Sequence, residues 1–113
     1  MEYVKADEVR IVSNSSVCKV LEYELNDKDL NGAVVEISGR YPDTGWALNQ
    51  KCKMLGFVLK GTGRLTTQSK TITLSKNDMV LILPGEKYYW DGHITLLLPA
   101  TPAWYPEQYV NCP

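Results

Sequence analysis

Thiol and imidazole groups, which could act as nucleophiles or hold a metal ion, are few in this chain. The sequence has three cysteines, Cys18, Cys52 and Cys112, and a single histidine, His93. A metal site needs imidazole, thiolate or carboxylate groups that converge on one point, and a thiol nucleophile needs a base beside it. The cysteines are widely spaced and form no CxxC pair. The sequence therefore predicts free thiols and argues against a disulfide framework.

A pairing of Cys52 with His93 would create a nucleophile, or part of a metal site if a carboxylate joined them. His93 follows Asp91-Gly92, a dipeptide typical of turns. A lone histidine in a turn is more often a solvated surface residue, and we favour that interpretation over a catalytic or metal-binding pair.

The elements that must position these residues are predicted to be strands. Turn-forming residues are dense and evenly spread, and short segments rich in Val, Ile, Leu, Thr and Tyr lie between them. This pattern is typical of a β-sandwich or barrel. Only Asp27–Leu30 suggests one helical turn. The predicted strands are Val9–Val12, Cys18–Leu25, Ala33–Ser38, Lys53–Leu59, Arg64–Thr67, Thr71–Leu74, Met79–Leu83, Lys87–Trp90 and Ile94–Leu98.

Both faces of the strand before Lys60 are apolar. Lys60 to Arg64 contains two glycines and predicts a tight hairpin, which would end that strand. We expect one face to line a barrel interior and the other to face a second sheet or a partner subunit. Alternation places Cys52, Met54, Gly56 and Val58 on one face, and Leu55, Phe57 and Leu59 on the other.

Two segments resemble the signatures of the cupin family, a small double-sheet β-barrel. Leu55–Gly63 resembles the first signature around its closing glycine. Asn77–Tyr88, an apolar strand followed by Pro84-Gly85, resembles the second. The resemblance implies an all-β, double-stranded β-helix (a jelly-roll-like barrel) that forms a single domain over residues 1–113. It also implies a homodimer.

The family's four metal-ligand positions carry no usual ligand in this sequence. None of the side chains found there supplies an imidazole or a carboxylate, so we expect a metal-independent protein without a cofactor. When each signature is aligned on its glycine, the glutamate falls on Met54, the first two histidines on Leu48 and Gln50 or on Ala47 and Asn49, and the last histidine on Tyr88.

These positions still line the interior of the predicted barrel. The lining is apolar and aromatic with a few polar groups, as is usual for small-molecule sites. The predicted ligand-binding residues are Asn49, Cys52, Met54, Val58, Tyr88 and Trp90. The alternative is that the same side chains simply fill a small barrel and bind nothing.

Tyr88 has three interpretations. It is a core residue with its hydroxyl hydrogen-bonded, a residue that orients a ligand, or a general acid or base. The last role needs a strongly perturbed pKa, because free tyrosine titrates at about 10. Three functions follow: a metal-independent binder of a small organic molecule, a metal-free isomerase or epimerase that uses Tyr88 or Cys52, and a packed structural or interaction barrel.

Composition and charge narrow the class of partner. A chain of 113 residues fits one domain, and its net charge of −1 argues against a nucleic-acid surface. The N-terminus is polar and acidic, unlike a signal peptide, and no apolar run reaches membrane-spanning length. We therefore expect a cytoplasmic protein without a nucleic-acid or membrane partner.

The tail, residues 99–113, is rich in proline and aromatic residues. Proline cannot donate a hydrogen bond within a sheet, so we expect this tail to lie across the outside of the barrel. The tail aromatics Trp104, Tyr105 and Tyr109 would then cover a sheet edge, anchor a subunit interface or close one end of the barrel.

Overall fold

The computed structural model describes residues 1–113, which form nine strands and two single-turn 3-10 helices. This confirms the predicted all-β fold class. Neither helix has the length or apolar character needed to cross a bilayer. The strands are β1 (Arg10–Ser15), β2 (Cys18–Tyr23), β3 (Asn31–Ser38), β4 (Trp46–Asn49), β5 (Lys53–Thr67), β6 (Thr71–Ser75), β7 (Met79–Ile82), β8 (Lys87–Thr101) and β9 (Tyr109–Cys112), and the helices are Ala6–Glu8 and Pro106–Gln108.

All nine strands belong to one antiparallel sheet that folds over on itself. The two longest strands, β5 and β8, pair with each other from Lys53↔Thr101 to Thr67↔Tyr88. One half of this pair is flanked by β7 and β3, and the other half by β6 and β4. Two layers result, β1-β2-β3-β8-β5-β7 and β9-β4-β8-β5-β6. They share both long strands and enclose the core.

Two turns predicted from glycines are absent, because these glycines lie inside long strands. The predicted hairpin at Lys60–Arg64 is part of β5, and Asp91-Gly92 is part of β8. Gly63 pairs directly with Gly92. A Cβ atom on Gly61 would lie 2.2 Å from the carbonyl oxygen of His93. The glycines therefore allow close approach of the two strands where the sheet folds over. Glycine suits such contacts as well as it suits turns.

The predicted helical turn at Asp27–Leu30 is also wrong. The segment forms a bend, and the Asp27 carboxylate accepts hydrogen bonds from the backbone N–H groups of Asp29 and Leu30, at 2.7 and 3.0 Å. An aspartate that bonds the backbone in this way favours a turn over a helix.

The alternation predicted for the start of β5 is confirmed. Cys52 and Val58 are fully buried, whereas Leu55 and Leu59 expose 37% and 39% of their surface. The inward side joins the apolar core, which contains Leu96 and Trp90 from β8. On the outward side Leu55 and Leu59 stay partly exposed, and the expected second sheet over this face is absent.

The tail does more than lie across the outside of the barrel. Strand β9 pairs with β4 from Trp46↔Cys112 to Asn49↔Tyr109 and forms an edge of the sheet. Just before it, Gln108 is 1% exposed and points into the interior. Pro99, Pro102 and Pro106 precede β9 and Pro113 follows it, so the backbone donors of β9 remain available for pairing.

Candidate functional site

The candidate site is centred on the side-chain amide of Asn49, the last residue of β4. Asn49 is 1% exposed. Its Nδ2 group lies 3.2 Å from the Tyr88 hydroxyl and 3.0 Å from Met54 Sδ. Its Oδ1 atom accepts hydrogen bonds from Trp104 Nε1 at 3.2 Å and from Gln108 Nε2 at 2.8 Å. Two donor hydrogens and two lone pairs are the full capacity of an amide, so Asn49 is saturated.

Strand pairing explains how Tyr88 and Asn49 meet. Tyr88 pairs with Ala47 near the start of β8, and both side chains point into the core. Asn49 points to the same side because side chains alternate along a strand. Trp90, two residues after Tyr88, also points inward and is 3% exposed. Its backbone N–H and C=O both bond to Tyr41, which holds the loop before β4 against this strand.

Gln108 connects the tail to the loop between β4 and β5. Its Oε1 atom accepts hydrogen bonds from the backbone N–H groups of Lys51 and Cys52, each at 3.2 Å. Its Nε2 group donates to Asn49. Sequence reasoning missed Gln108, because only the 3-10 turn that begins at Pro106 aims this glutamine inward. The sequence predicts that Trp104 covers part of the barrel, but it does not predict the hydrogen bond from Trp104 to Asn49.

Of the six predicted site residues, three share one hydrogen-bonded cluster: Asn49, Met54 and Tyr88. Val58 and Trp90 belong to the neighbouring apolar core. The Cys52 thiol donates to the carbonyl oxygen of Pro102 at 3.3 Å. The six therefore lie on the interior side of the barrel, and their binding of a ligand stays a prediction.

Cys52 and His93 are not brought together. Cys52 is buried beside the tail, beyond the end of β8. His93 lies inside β8, not in the predicted turn, and is exposed between Ser38 and Thr62 on the outer face. No group of three His, Cys, Asp or Glu side chains in the chain is arranged to hold a metal ion.

The ionisable groups at the site favour their neutral forms. Burial raises the pKa of Tyr88 far above its usual value, the nearby Tyr109 phenol adds to this effect, and the hydrogen bond with Asn49 opposes it. Burial also raises the pKa of the Cys52 thiol. Both groups are therefore protonated at neutral pH, which argues against Tyr88 as a general base and against Cys52 as a thiolate nucleophile.

A second set of weak acids lies beside Tyr88 in the core. Burial raises the pKa of Tyr41 and Tyr109, and it raises the pKa of the Cys18 thiol to about 11. Tyr109 and Cys18 raise the pKa of Tyr41 further, whereas the hydrogen bond with Tyr41 lowers the pKa of Tyr109 and Cys18 raises it. This part of the interior is polar but uncharged.

Two open grooves lie on the surface of the molecule, away from Asn49. One, of about 390 Å³, is lined by Ser13, Lys19, Lys60 and His93 among others. The other, of about 420 Å³, lies between the N-terminal segment and the outer sheet face near Val34. Every buried polar side-chain atom already has a hydrogen-bond partner. A ligand could therefore bond to Asn49 only by displacing at least one of its present partners.

Comparison with known proteins supports the fold. No protein-family model and no curated protein matches the chain. Among solved structures, a variant of Streptomyces Pac13 bound to uridine has a TM-score of 0.87 at 15% identity, over 99% of this chain and 90% of that chain. Pac13 is described as a unique nucleoside dehydratase.

Two further solved structures share this fold. KdgF from Halomonas sp. has a TM-score of 0.76 at 13% identity, over 91% of this chain and 96% of that chain. An RmlC-like cupin from Shewanella frigidimarina has a TM-score of 0.75 at 13% identity, over 91% and 92%. The chain thus has a cupin-like fold, as its two signature-like segments predicted.

Proposed function

We propose that this chain is a metal-independent, cupin-like protein that binds a small, neutral organic molecule inside its barrel. The observation that carries the proposal is the buried amide centre, Asn49 with Tyr88 and Gln108, in which no charged side chain takes part. Its ligand-binding residues are the predicted set: Asn49, Cys52, Met54, Val58, Tyr88 and Trp90. The homodimer predicted from the sequence stays part of the proposal, because the outer sheet face leaves apolar side chains uncovered.

The chemistry of the centre favours a flat ligand with an amide-like edge. An asparagine side chain offers a donor and an acceptor side by side, the arrangement that matches the edge of a nucleobase. Trp90 and Trp104 supply aromatic faces on which a flat ring stacks. Pac13, which shares the fold, has been captured with uridine. A nucleoside or a free base is therefore the ligand class we propose.

Binding requires an exchange of partners at Asn49. In the free protein the tail satisfies its Oδ1 atom through Trp104 and Gln108. A ligand edge would replace these two bonds, so the tail segment that carries them must swing outward as the ligand enters. The bonds lost and gained at Asn49 Oδ1 are of the same kind, so the ligand has to offset mainly the loss of the tail's other bonds, such as those of Gln108 with Lys51 and Cys52.

The binding proposal is tested by titrating ¹⁵N-labelled protein with uridine and uracil. We expect saturable shifts of the Asn49 side-chain amide and of the Trp104 and Trp90 indole N–H signals. Asn49→Ala should abolish them. Asn14→Ala, at an exposed asparagine outside the barrel, is the matched control and should bind as the wild type does. Absence of saturable shifts up to millimolar ligand would favour the packed barrel instead.

The metal-independence part of the proposal is tested separately. Elemental analysis of protein purified without chelators should find substoichiometric iron, zinc, manganese and nickel. One equivalent of any of these ions per chain would overturn it. The enzymatic alternative, an isomerase or epimerase with Tyr88 or Cys52 as proton-transfer group, gains no support from groups that burial keeps protonated.

A further inference from the structure

The groove of about 390 Å³ lies on the outer face of the sheet, at the end where a hairpin joins β1 to β2. Residues 15–17 of this hairpin line one side, and Lys60 of β5 and His93 of β8 line the other. Between them lie Lys19 and Glu36, which pair across β2 and β3. The groove shares no residue with the second groove or with the buried amide centre. It is therefore a separate candidate site.

Backbone contacts on both sides fix the shape of this groove. The backbone N–H of Ser38 donates to the carbonyl oxygen of Val17 at 2.9 Å, which holds the hairpin against β3. On the other side, Gly61 lets β5 approach β8 so closely that a Cβ atom would lie 2.2 Å from the His93 carbonyl oxygen. A groove shaped by the backbone exists before a ligand arrives, and such preorganisation lowers the cost of binding.

Serine hydroxyls along the groove have hydrogen-bonding capacity that the fold leaves unused. Ser15 Oγ accepts a hydrogen bond from the Val17 backbone N–H at 3.1 Å. The hydroxyls of Ser13, Ser16 and Ser38 have no partner within the protein. Since a hydroxyl is both a donor and an acceptor, a set of them matches the hydroxyls of a polyol. The saturated amide centre inside the barrel offers no such free groups.

Cations outnumber anions along the groove. Its charged side chains are Lys19, Lys60 and Glu36, and Lys60 takes part in no ion pair. Lys19 and Glu36 are 4.0 Å apart and about half exposed, so their attraction is weak. His93 adds imidazole nitrogens on the same side as Lys60. Because the whole chain has a net charge of −1, this positive groove is a local feature that favours an anionic ligand.

We propose that this groove binds a phosphorylated polyol, with its phosphate at Lys60 and His93 and its hydroxyls on the serines. Lys60 pairs with Thr95, so His93 is its diagonal neighbour on β8, and both side chains can reach one phosphate. The volume is in the range of small-molecule sites. No aromatic side chain lines the groove, so a nucleobase would gain no stacking there. This ligand and its site are distinct from those proposed for the barrel interior.

Titration of ¹⁵N-labelled protein with glucose 6-phosphate tests this proposal. We expect saturable shifts of the backbone amides of Val17 and Gly61. Glucose and inorganic phosphate should each bind at least about tenfold more weakly, because each offers only part of the chemistry. Added salt should weaken the binding of glucose 6-phosphate, since the cations are exposed and screened. Uridine should not compete, because the amide centre lies inside the barrel.

Two substitutions should change the affinity in opposite directions. Lys60→Gln removes an attractive charge and should weaken the binding of glucose 6-phosphate by about fivefold to tenfold. Glu36→Gln removes a repulsive charge and frees Lys19, so it should strengthen binding by about threefold. Lys60 is exposed and Glu36 is about half exposed, so both variants should fold. Lys76→Gln, at an exposed lysine outside the groove, is the matched control and should bind as the wild type does.

A phosphorylated polyol is either a free solute or the headgroup of a lipid, and a second experiment separates these sources. Flotation with vesicles that contain phosphatidylinositol 4-phosphate would carry the protein upward if the ligand is a headgroup. Saturable binding of glucose 6-phosphate assigns a free solute. Absence of binding in both experiments would overturn the proposal. So would binding that stays unchanged in both Lys60→Gln and Glu36→Gln, or glucose that binds as tightly as its phosphate.

Discussion

The Gln108 side-chain amide donates to Asn49 Oδ1 at 2.8 Å, across 59 residues of sequence. Both side chains are 1% exposed. Gln108 also accepts from the backbone N–H groups of Lys51 and Cys52, so it joins the tail, the end of β4 and the start of β5 in one network. A buried network of this kind stabilises the fold only while every member is satisfied.

Removing either partner should therefore be costly. We expect Asn49→Ala to lower the free energy of unfolding by about 3 kcal/mol, because it leaves the Gln108 and Trp104 donors unsatisfied in the interior. Gln108→Ala should cost a similar amount. In the double variant the losses should not add, with a coupling energy of about 1–2 kcal/mol. Urea denaturation measures all three values.

Gln50→Ala is the matched control for that cycle. Gln50 is the exposed neighbour of Asn49, and only its backbone N–H bonds to the tail. Its replacement should change the free energy of unfolding by less than about 0.5 kcal/mol. Strictly additive effects at Asn49 and Gln108 would show that the two amides act independently.

Whether a contact of this network could be predicted from the sequence depends on how far apart its two residues lie along the chain. The inward side of Met54 and Val58 follows from strand alternation, and Tyr88 follows from the strand-Pro-Gly unit before it. Gln108 could not be predicted, because its contact with Asn49 depends on how the tail returns across the end of the barrel. No local pattern encodes a contact over that distance.

The hairpin predicted at the glycines of β5 was wrong for a different reason. The local sequence signal is strong there, but it fits two structures. Gly61 has a positive φ of 84°, as a turn glycine would, yet it lies inside β5. A glycine serves a turn and a close strand crossing equally well. The sequence shows the glycine and not the strand that will lie against it, here β8 at His93.

The strand that lies against Gly61 predicts unequal costs of alanine substitution at two glycines with nearly the same φ. Gly61 and Gly85 have φ of 84° and 83°. A Cβ on Gly61 would lie 2.2 Å from the His93 carbonyl oxygen, whereas a Cβ on Gly85 would meet nothing within 4 Å. Gly85→Ala should lower the free energy of unfolding only by the cost of placing alanine at positive φ, about 1–2 kcal/mol. Gly61→Ala should cost at least about 3 kcal/mol or prevent folding.

Urea denaturation of the two alanine variants in parallel measures the difference. Both variants carry the same cost of an alanine at positive φ. The difference between their free energies of unfolding therefore isolates the steric clash between β5 and β8. Equal destabilisation at Gly61 and Gly85 would mean that the strands separate freely at this crossing.

Alkaline pH should destabilise the protein. The folded-state pKa values of Tyr88, Tyr41 and Cys18 are raised, so the folded chain holds these protons more tightly than the unfolded chain does. Their contribution is complete below the unfolded pKa, 9.0 for the thiol and 10.0 for the phenols, and is lost as pH rises toward the folded values. For Cys18 the window is 9.0 to about 11.

Unfolding free energies measured in urea from pH 7 to pH 11 check this effect. We expect a plateau up to about pH 9 and then a fall, with a limiting slope of about 1.4 kcal/mol per pH unit for each group that titrates. Tyr88→Phe removes one of these groups and should make the fall shallower. A stability that stays constant up to pH 11 would contradict the raised pKa values.

The buried thiols should be nearly inert in the folded protein. Cys52 is fully buried, its Sγ donates to Pro102, and burial raises its pKa, so it has neither the exposure nor the thiolate character of a nucleophile. Cys18 is 2% exposed and also has a raised pKa.

With a chromogenic disulfide reagent at pH 8, we expect only the half-buried Cys112 to react quickly. Cys112→Ser should remove this fast phase, and all thiols should react once urea unfolds the chain. Fast modification of Cys52 in the native state would revive it as a nucleophile, and it would also show that the tail around Pro102 opens far more readily than its hydrogen bonds to the barrel imply.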